Sequence, residues 1–229
     1  MSAELGTVLV TGGASGLGAA VADAVAREGG TPVVLDRAQP DDGLAWERVD
    51  LADPRAAEAA VARVAERHGG LDAVVTAAGI DACGELPDIE PEAWDQVIMV
   101  NLLGTVSVVR AALPHLERSH GRVVTVASTL GLRALPAATA YCASKFGVVG
   151  FTRALALELG DRVGVTMLVP GGMRTRFFDD RPEEFKPAPD QRLNDPSEVA
   201  DAVVFALRRP PGVELRELVI TPSAEPSWP

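Results

Sequence analysis

Along the whole chain, apolar β-branched runs of about five residues alternate with segments of helical periodicity, the pattern of a parallel sheet covered by helices on both faces. Thr7 to Thr11 (TVLVT) is a predicted strand, and Leu17, Val21, Ala24 and Val25 then share one helical face up to the stop at Gly29-Gly30. A second strand covers Thr31 to Leu35. After a Pro/Asp/Gly turn at Pro40 to Gly43 come a strand ending at Val49, a helix from Pro54 to about His68, and a strand over Ala73 to Thr76. Past Pro91, a long helix carries Trp94, Ile98 and Asn101 and leads to Pro114. Strands over Arg122 to Val126 and Val163 to Val169 enclose a helix from Thr139 to Glu158. Asp195-Pro196-Ser197-Glu198 opens the last long helix, and Leu218 to Thr221 forms the final strand. No internal repeat or low-complexity linker divides the chain, so one α/β domain over residues 1–229 is expected. The irregular stretch is residues 173–193, read as a cover over the site.

A formal charge of −11, with no basic cluster to offset it, argues against a phosphate-backbone partner such as DNA or RNA. The opening MSAELGTVLV lacks a basic segment followed by an apolar one, and the uncharged run Gln96 to Val109 is too short to span a bilayer. No membrane partner is expected. The cysteines, Cys83 and Cys142, form neither a disulfide framework nor a metal-ligand pattern, which fits a reducing cytoplasm. His68, His115 and His120 show no ligand spacing and fall near helix ends, so no metal site is indicated.

Chemistry enters between the first strand and the first helix, at Thr11-Gly12-Gly13-Ala14-Ser15-Gly16-Leu17-Gly18. Glycines there permit a tight turn and let a pyrophosphate approach the helix N-terminus. The second strand ends in Asp36, whose carboxylate can accept hydrogen bonds from adenosine ribose hydroxyls and repel a 2′-phosphate. That residue favours NAD over NADP. Arg37 beside it is the feature that could accommodate a phosphate.

Tyr141 and Lys145, the chain's one tyrosine and one of its two lysines, fall one turn apart on a helix and can share a ligand. Ser128 follows a strand at the carboxyl end of the sheet, where open α/β folds bind ligands. A free phenol with pKa near 10 is a poor base at neutral pH, and lowering it by about three units requires roughly 4 kcal/mol of preferential interaction with the anion. Lys145 and an oxidised nicotinamide are expected to supply it.

With TGGASGLG, Asp36, Asp50-Leu51, Ala77-Ala78-Gly79, Asn101, Ser128, Tyr141-x-x-x-Lys145 and Pro170-Gly171 in this order, the chain resembles the short-chain dehydrogenase/reductase family over nearly its whole length. The resemblance implies a three-layer Rossmann fold with a doubly wound, seven-stranded parallel sheet. It implies a catalytic tetrad of Asn101, Ser128, Tyr141 and Lys145, with Asn101 organising a water next to the lysine. Gly12, Ala14, Ser15, Gly16, Leu17, Gly18, Asp36, Arg37, Asp50, Leu51, Ala77, Ala78 and Gly79 then hold the dinucleotide together with Tyr141 and Lys145, the lysine fixing the nicotinamide ribose, and Pro170, Gly171 and Thr175 flank the nicotinamide. Ser15 stands where NADP-using members often carry a basic residue, in agreement with Asp36. Departures are Thr76, where many members have asparagine, and the tail ITPSAEPSWP, which lacks their frequent glycine pair.

The expected activity is NAD-dependent interconversion of a secondary alcohol and a ketone, with Leu130, Met173, Phe177 and Phe178 lining the substrate pocket. An NADPH-dependent ketoreductase of the same fold and a non-catalytic dinucleotide sensor are the alternatives. Leu102 to Leu113 and Phe146 to Leu159 are too apolar to stand half exposed, so these helices are expected to pair in a homodimer or homotetramer.

Overall fold

The computed structural model describes residues 4–40 and 43–228; Asp41 and Asp42, in the expected turn at Pro40 to Gly43, lie outside them. Seven parallel strands form one sheet in the order β3-β2-β1-β4-β5-β6-β7, with β1 Thr7–Thr11, β2 Thr31–Asp36, β3 Ala45–Arg48, β4 Ala73–Thr76, β5 Arg122–Val126, β6 Gly164–Pro170 and β7 Glu217–Ile220. The helices are α1 Gly16–Arg27, α2 Pro54–His68, α3 Pro91–Ile98, α4 Thr105–Ser119, α5 Thr139–Leu159 and α6 Pro196–Leu207.

The strands read as apolar runs because both faces of the sheet are covered. In β1, Val8 and Val10 point toward α1 and α6, whereas Leu9 joins the core built with α2 and α4. This alternation separates the two cores of the three-layer structure. Helix starts follow the expected chemistry: Asp53 accepts from the backbone N–H groups of Arg55 and Ala56 ahead of Pro54, and Asp195 accepts from that of Ser197 ahead of Pro196.

Two features depart from the sequence reading. Residues Met99–Gly104 form a π-helical turn that joins α3 to α4, and Asn101 lies within it. Pro114 does not end α4, which continues to Ser119. The proline forfeits one N–H, but Ala112 and Leu116 are fully buried on either side of it, so tertiary packing outweighs the lost bond. As a result Pro91–Ser119 forms a continuous rod of 29 residues, long and apolar enough by length and composition to cross a membrane, which the shorter run Gln96 to Val109 does not suggest. Here its Val108, Val109, Ala112 and Leu116 face is packed against the sheet.

The strand order reverses at β1 and β4, so the connections leaving their carboxyl ends diverge and open a crevice. The glycine loop follows β1, Ala77-Ala78-Gly79 follows β4, and Ser128 follows β5.

Candidate active site

Gly12 has φ of 70°, and a Cβ there would stand 2.7 Å from the Ala78 Cα. At Gly18 a Cβ would stand 2.2 Å from the Gly12 carbonyl oxygen. These positions exclude a side chain and bring the start of α1 close against β1 and β4. Ser15, the N-cap of α1, makes no side-chain cap, so the first-turn N–H groups have no capping acceptor from it. The cradle therefore fits a pyrophosphate. Asp36 is fixed beside it, one carboxylate oxygen accepting from the Ala14 N–H and the other from the Ala38 N–H, each at 3.0 Å. Arg37 and Asp50 line the same end of the cavity.

At the other end, Tyr141 on α5 lies beside Ser128, whose hydroxyl accepts from the Leu130 N–H at 3.1 Å. The Lys145 ammonium, one turn on, stands 5.6 Å from the tyrosine ring centroid and donates to the Val126 carbonyl at 2.8 Å. Gly79 passes beside both Lys145 and Asn101. The Asn101 amide is committed to structure: its oxygen accepts from the Ile80 N–H at 2.8 Å, and its nitrogen donates to the Ile80 carbonyl at 2.9 Å and to the Ser144 hydroxyl at 3.1 Å. It clamps the loop after β4 to α5.

Electrostatically, the protein's own groups do not make Tyr141 a ready base. Burial pushes its phenol above the ordinary range and the Asp81 carboxylate adds to the rise, while Ser128 and the Arg181 guanidinium pull it back. Burial also lowers Lys145, to about 8. The groups that lower the phenol are Ser128 and Arg181, not the lysine expected from the spacing, and desolvation outweighs them.

One continuous cavity of about 540 Å³ runs from Asp36 past Lys145 and Tyr141 to the 173–193 segment. Of the residues assigned to the site from sequence, all line it except Ala14, whose N–H orients Asp36, and Asn101, which acts behind the wall. Leu130, Met173, Phe177 and Phe178 are all at the substrate end, and Thr175 faces Gly16.

Sequence reasoning missed three parts of this end. Arg181 and Phe185 come from the cover, and Arg181 pairs with Asp81. Glu225 and Ser227 come from the tail, which folds back: Glu225 accepts from the Gly172 N–H at 2.9 Å, and Ser227 bonds Thr129, next to Ser128, at 2.7 Å. Asp81 sits two residues beyond Gly79 and could have been flagged by that proximity; nothing in the tail's composition signals its return.

A doubly wound sheet with a phosphate cradle after β1 and a serine, tyrosine and lysine converging after β5 defines an NAD(P)-binding Rossmann oxidoreductase. The chain belongs to the short chain dehydrogenase family, whose model matches residues 6–185. It is 35% identical over 217 residues to (2S)-[(R)-hydroxy(phenyl)methyl]succinyl-CoA dehydrogenase subunit BbsD of Thauera aromatica, covering 86% of this chain and 87% of that one. It is 33% identical over 201 residues to D-beta-hydroxybutyrate dehydrogenase of Rhizobium meliloti, covering 81% and 76%. Among solved structures, a short chain dehydrogenase from Burkholderia cenocepacia in complex with NADP superposes with a TM-score of 0.83 at 29% identity, covering 96% of this chain and 98% of that one. The family includes dehydrogenases that act on hydroxyl groups, and this chain shares that oxidoreductase fold.

Proposed function

We propose that this chain is an NAD(H)-dependent oxidoreductase that interconverts a secondary alcohol and a ketone, with Tyr141 as general acid and base. The observation that carries the reading is the convergence of Ser128, Tyr141 and Lys145 on a cavity whose far end is bounded by Asp36. A nicotinamide, when bound, supplies the hydride acceptor or donor and a nearby positive charge in its oxidised form. Ser128 holds and polarises the substrate oxygen, and Tyr141 removes its proton or returns one. Lys145 orients the nicotinamide ribose and favours the tyrosinate, and Asn101 keeps the Gly79-Ile80 loop in register with α5.

Asp36 supports NAD over NADP, because its carboxylate is already oriented by two backbone N–H groups and would repel a 2′-phosphate. A second reading, an NADPH-dependent ketoreductase, is favoured by Arg37 at the same end of the cavity and by the NADP bound to the Burkholderia relative. Titration with NADH and NADPH, followed by cofactor oxidation across a panel of alcohols, ketones, sugars and hydroxysteroids, tests both. A chain that binds dinucleotide but turns over nothing on that panel would instead be a sensor. We also propose a homodimer or homotetramer built on α4 and α5.

A further inference from the structure

The cover over Tyr141 has no core of its own. No residue from 173 to 193 is fully buried. Its ends are tied by a bridge between Met173 and Asn194 and by an exposed ion pair between Arg174 and Asp195. Between Arg176 and Leu193, among the described residues, a single hydrogen bond reaches out to the rest of the protein: Arg181 donates to Asp81 at 2.5 Å.

Both partners are built for that bond. Asp81 follows Ile80, the residue clamped by Asn101, and its side chain is 6% exposed. One carboxylate oxygen accepts from the Ala82 N–H, and the other accepts from the Cys83 thiol and from Arg181. Burial and the Asp81 contact push Cys83 up to about 12, so it serves there as a neutral donor. Arg181 is 17% exposed, donates to the Phe185 carbonyl at 3.2 Å, and lies over Phe177 and Phe178 at 5.1 and 4.6 Å from the ring centroids. Phe177 in turn packs on the Tyr141 ring at 5.5 Å. A physical chain therefore runs from Asp81 through Arg181 and Phe177 to Tyr141. Other ion pairs here, such as Arg153–Glu217 at 55% and 39% exposure, lie in solvent and hold little. A shielded pair loses far more when one partner is removed.

We propose that Asp81 and Arg181 are positioning residues whose ion pair latches the 173–193 segment down on Tyr141, keeping water from the phenol while the latch is closed. The role in proton transfer rests on Tyr141 being the acid and base; the latch itself does not. The charged and titratable groups facing Tyr141 are Asp81, Arg181, Cys142 and Lys145. Opening the latch by Asp81→Asn removes a nearby anion and admits solvent, both of which ease ionisation of the phenol, and carries away the Arg181 guanidinium, which opposes it; burial is the largest cause of the raised phenol, so admitting solvent sets the net direction downward.

The test uses the full-length chain without substrate. Chymotrypsin cutting at Phe177, Phe178 and Phe185 reports the cover, and cutting at Phe146 and Phe151 on α5 reports the fold. Because Tyr141 is the chain's one tyrosine, ultraviolet absorbance follows its ionisation directly. Asp81→Asn is expected to speed cutting of the cover about tenfold and to move the tyrosine titration down by about one unit. Arg181→Met also speeds cutting, and Arg181→Lys, which keeps a cation within reach of Asp81, restores most of the protection. Unchanged cutting or an unchanged titration in Asp81→Asn overturns the latch. So does equal acceleration at Phe146 and Phe151 in both Asp81→Asn and Arg181→Met, which would make the pair a support of the whole fold. Neither readout involves turnover, so failure of the oxidoreductase reading would show separately, as activity retained in Tyr141→Phe.

Discussion

Lys145 gives its hydrogen bond to the Val126 carbonyl at 2.8 Å while its ammonium stands 5.6 Å from the ring centroid of Tyr141, one turn earlier on α5. The lysine is anchored to the end of β5, the strand that also delivers Ser128. Both residues thus meet the end of β5 from α5, the lysine at the Val126 carbonyl and the phenol beside Ser128.

If Tyr141 carries the proton, Tyr141→Phe removes the acid and base while keeping the ring that packs on Phe177. Turnover of a confirmed substrate is expected to fall by about a hundred- to ten-thousand-fold, with cofactor affinity unchanged. Steady-state kinetics together with cofactor fluorescence separate the two effects. A variant with undiminished kcat would remove Tyr141 from the mechanism.

The buried lysine should be visible directly. With two lysines in the chain, carbon-13 labelling gives two resonances. Lys145 is expected to titrate near 8, depressed by burial, while the bond to Glu183 holds Lys186 above the ordinary range. The sign for stability follows. The folded-state value lies below the unfolded one, so the unfolded chain binds the extra proton between about pH 8 and pH 10.4, and the contribution of this group to stability rises with pH across that window. The relief is on the order of 3 kcal/mol, full only above the unfolded value. Two resonances titrating together near 10.4 would refute the assignment.

Strand and helix order was legible because a doubly covered sheet and amphipathic helices write their periods into the chain, and the boundaries of β1, β4 and β5 coincide with the apolar runs TVLVT, AVVT and RVVTV. The cradle and the Tyr141–Lys145 pair were legible because their geometry is local. The π-helical turn at Asn101 was not, since it depends on where the Ile80 backbone arrives to meet the amide. Arg181 and Glu225 find their partners Asp81 and Gly172 across 100 and 53 residues, and no local pattern encodes such contacts.

For the cofactor, the deciding group is Asp36. NADH is expected to bind about tenfold or more tightly than NADPH, a difference of about 1.4 kcal/mol or more. Asp36→Ala should narrow that difference by removing the anion while leaving Arg37 in place. Fluorescence or thermal-shift titrations measure both. Equal affinities in the unmodified protein would sink the NAD assignment, and reversed ones would transfer it to NADPH.

The apolar character of α5 bears on assembly. In a single chain Leu157 is 85% exposed and Phe146 46%, and Ala154 is exposed on the same helix, while Leu103 stands out before α4. Intrachain neighbours therefore do not cover these side chains, and burying them against a second copy removes apolar surface from water on both protomers. A twofold contact would place the same surface on each side. Leu157→Glu puts a carboxylate on that face one turn from Arg153, whose guanidinium is already paired with Glu217, and desolvating that charge is expected to dissociate the assembly while leaving the fold intact. Light scattering or analytical ultracentrifugation, with circular dichroism as the check on folding, reads the result. An unmodified protein that is monomeric at micromolar concentration would defeat the proposal, because the exposed face would then have no second copy to cover it.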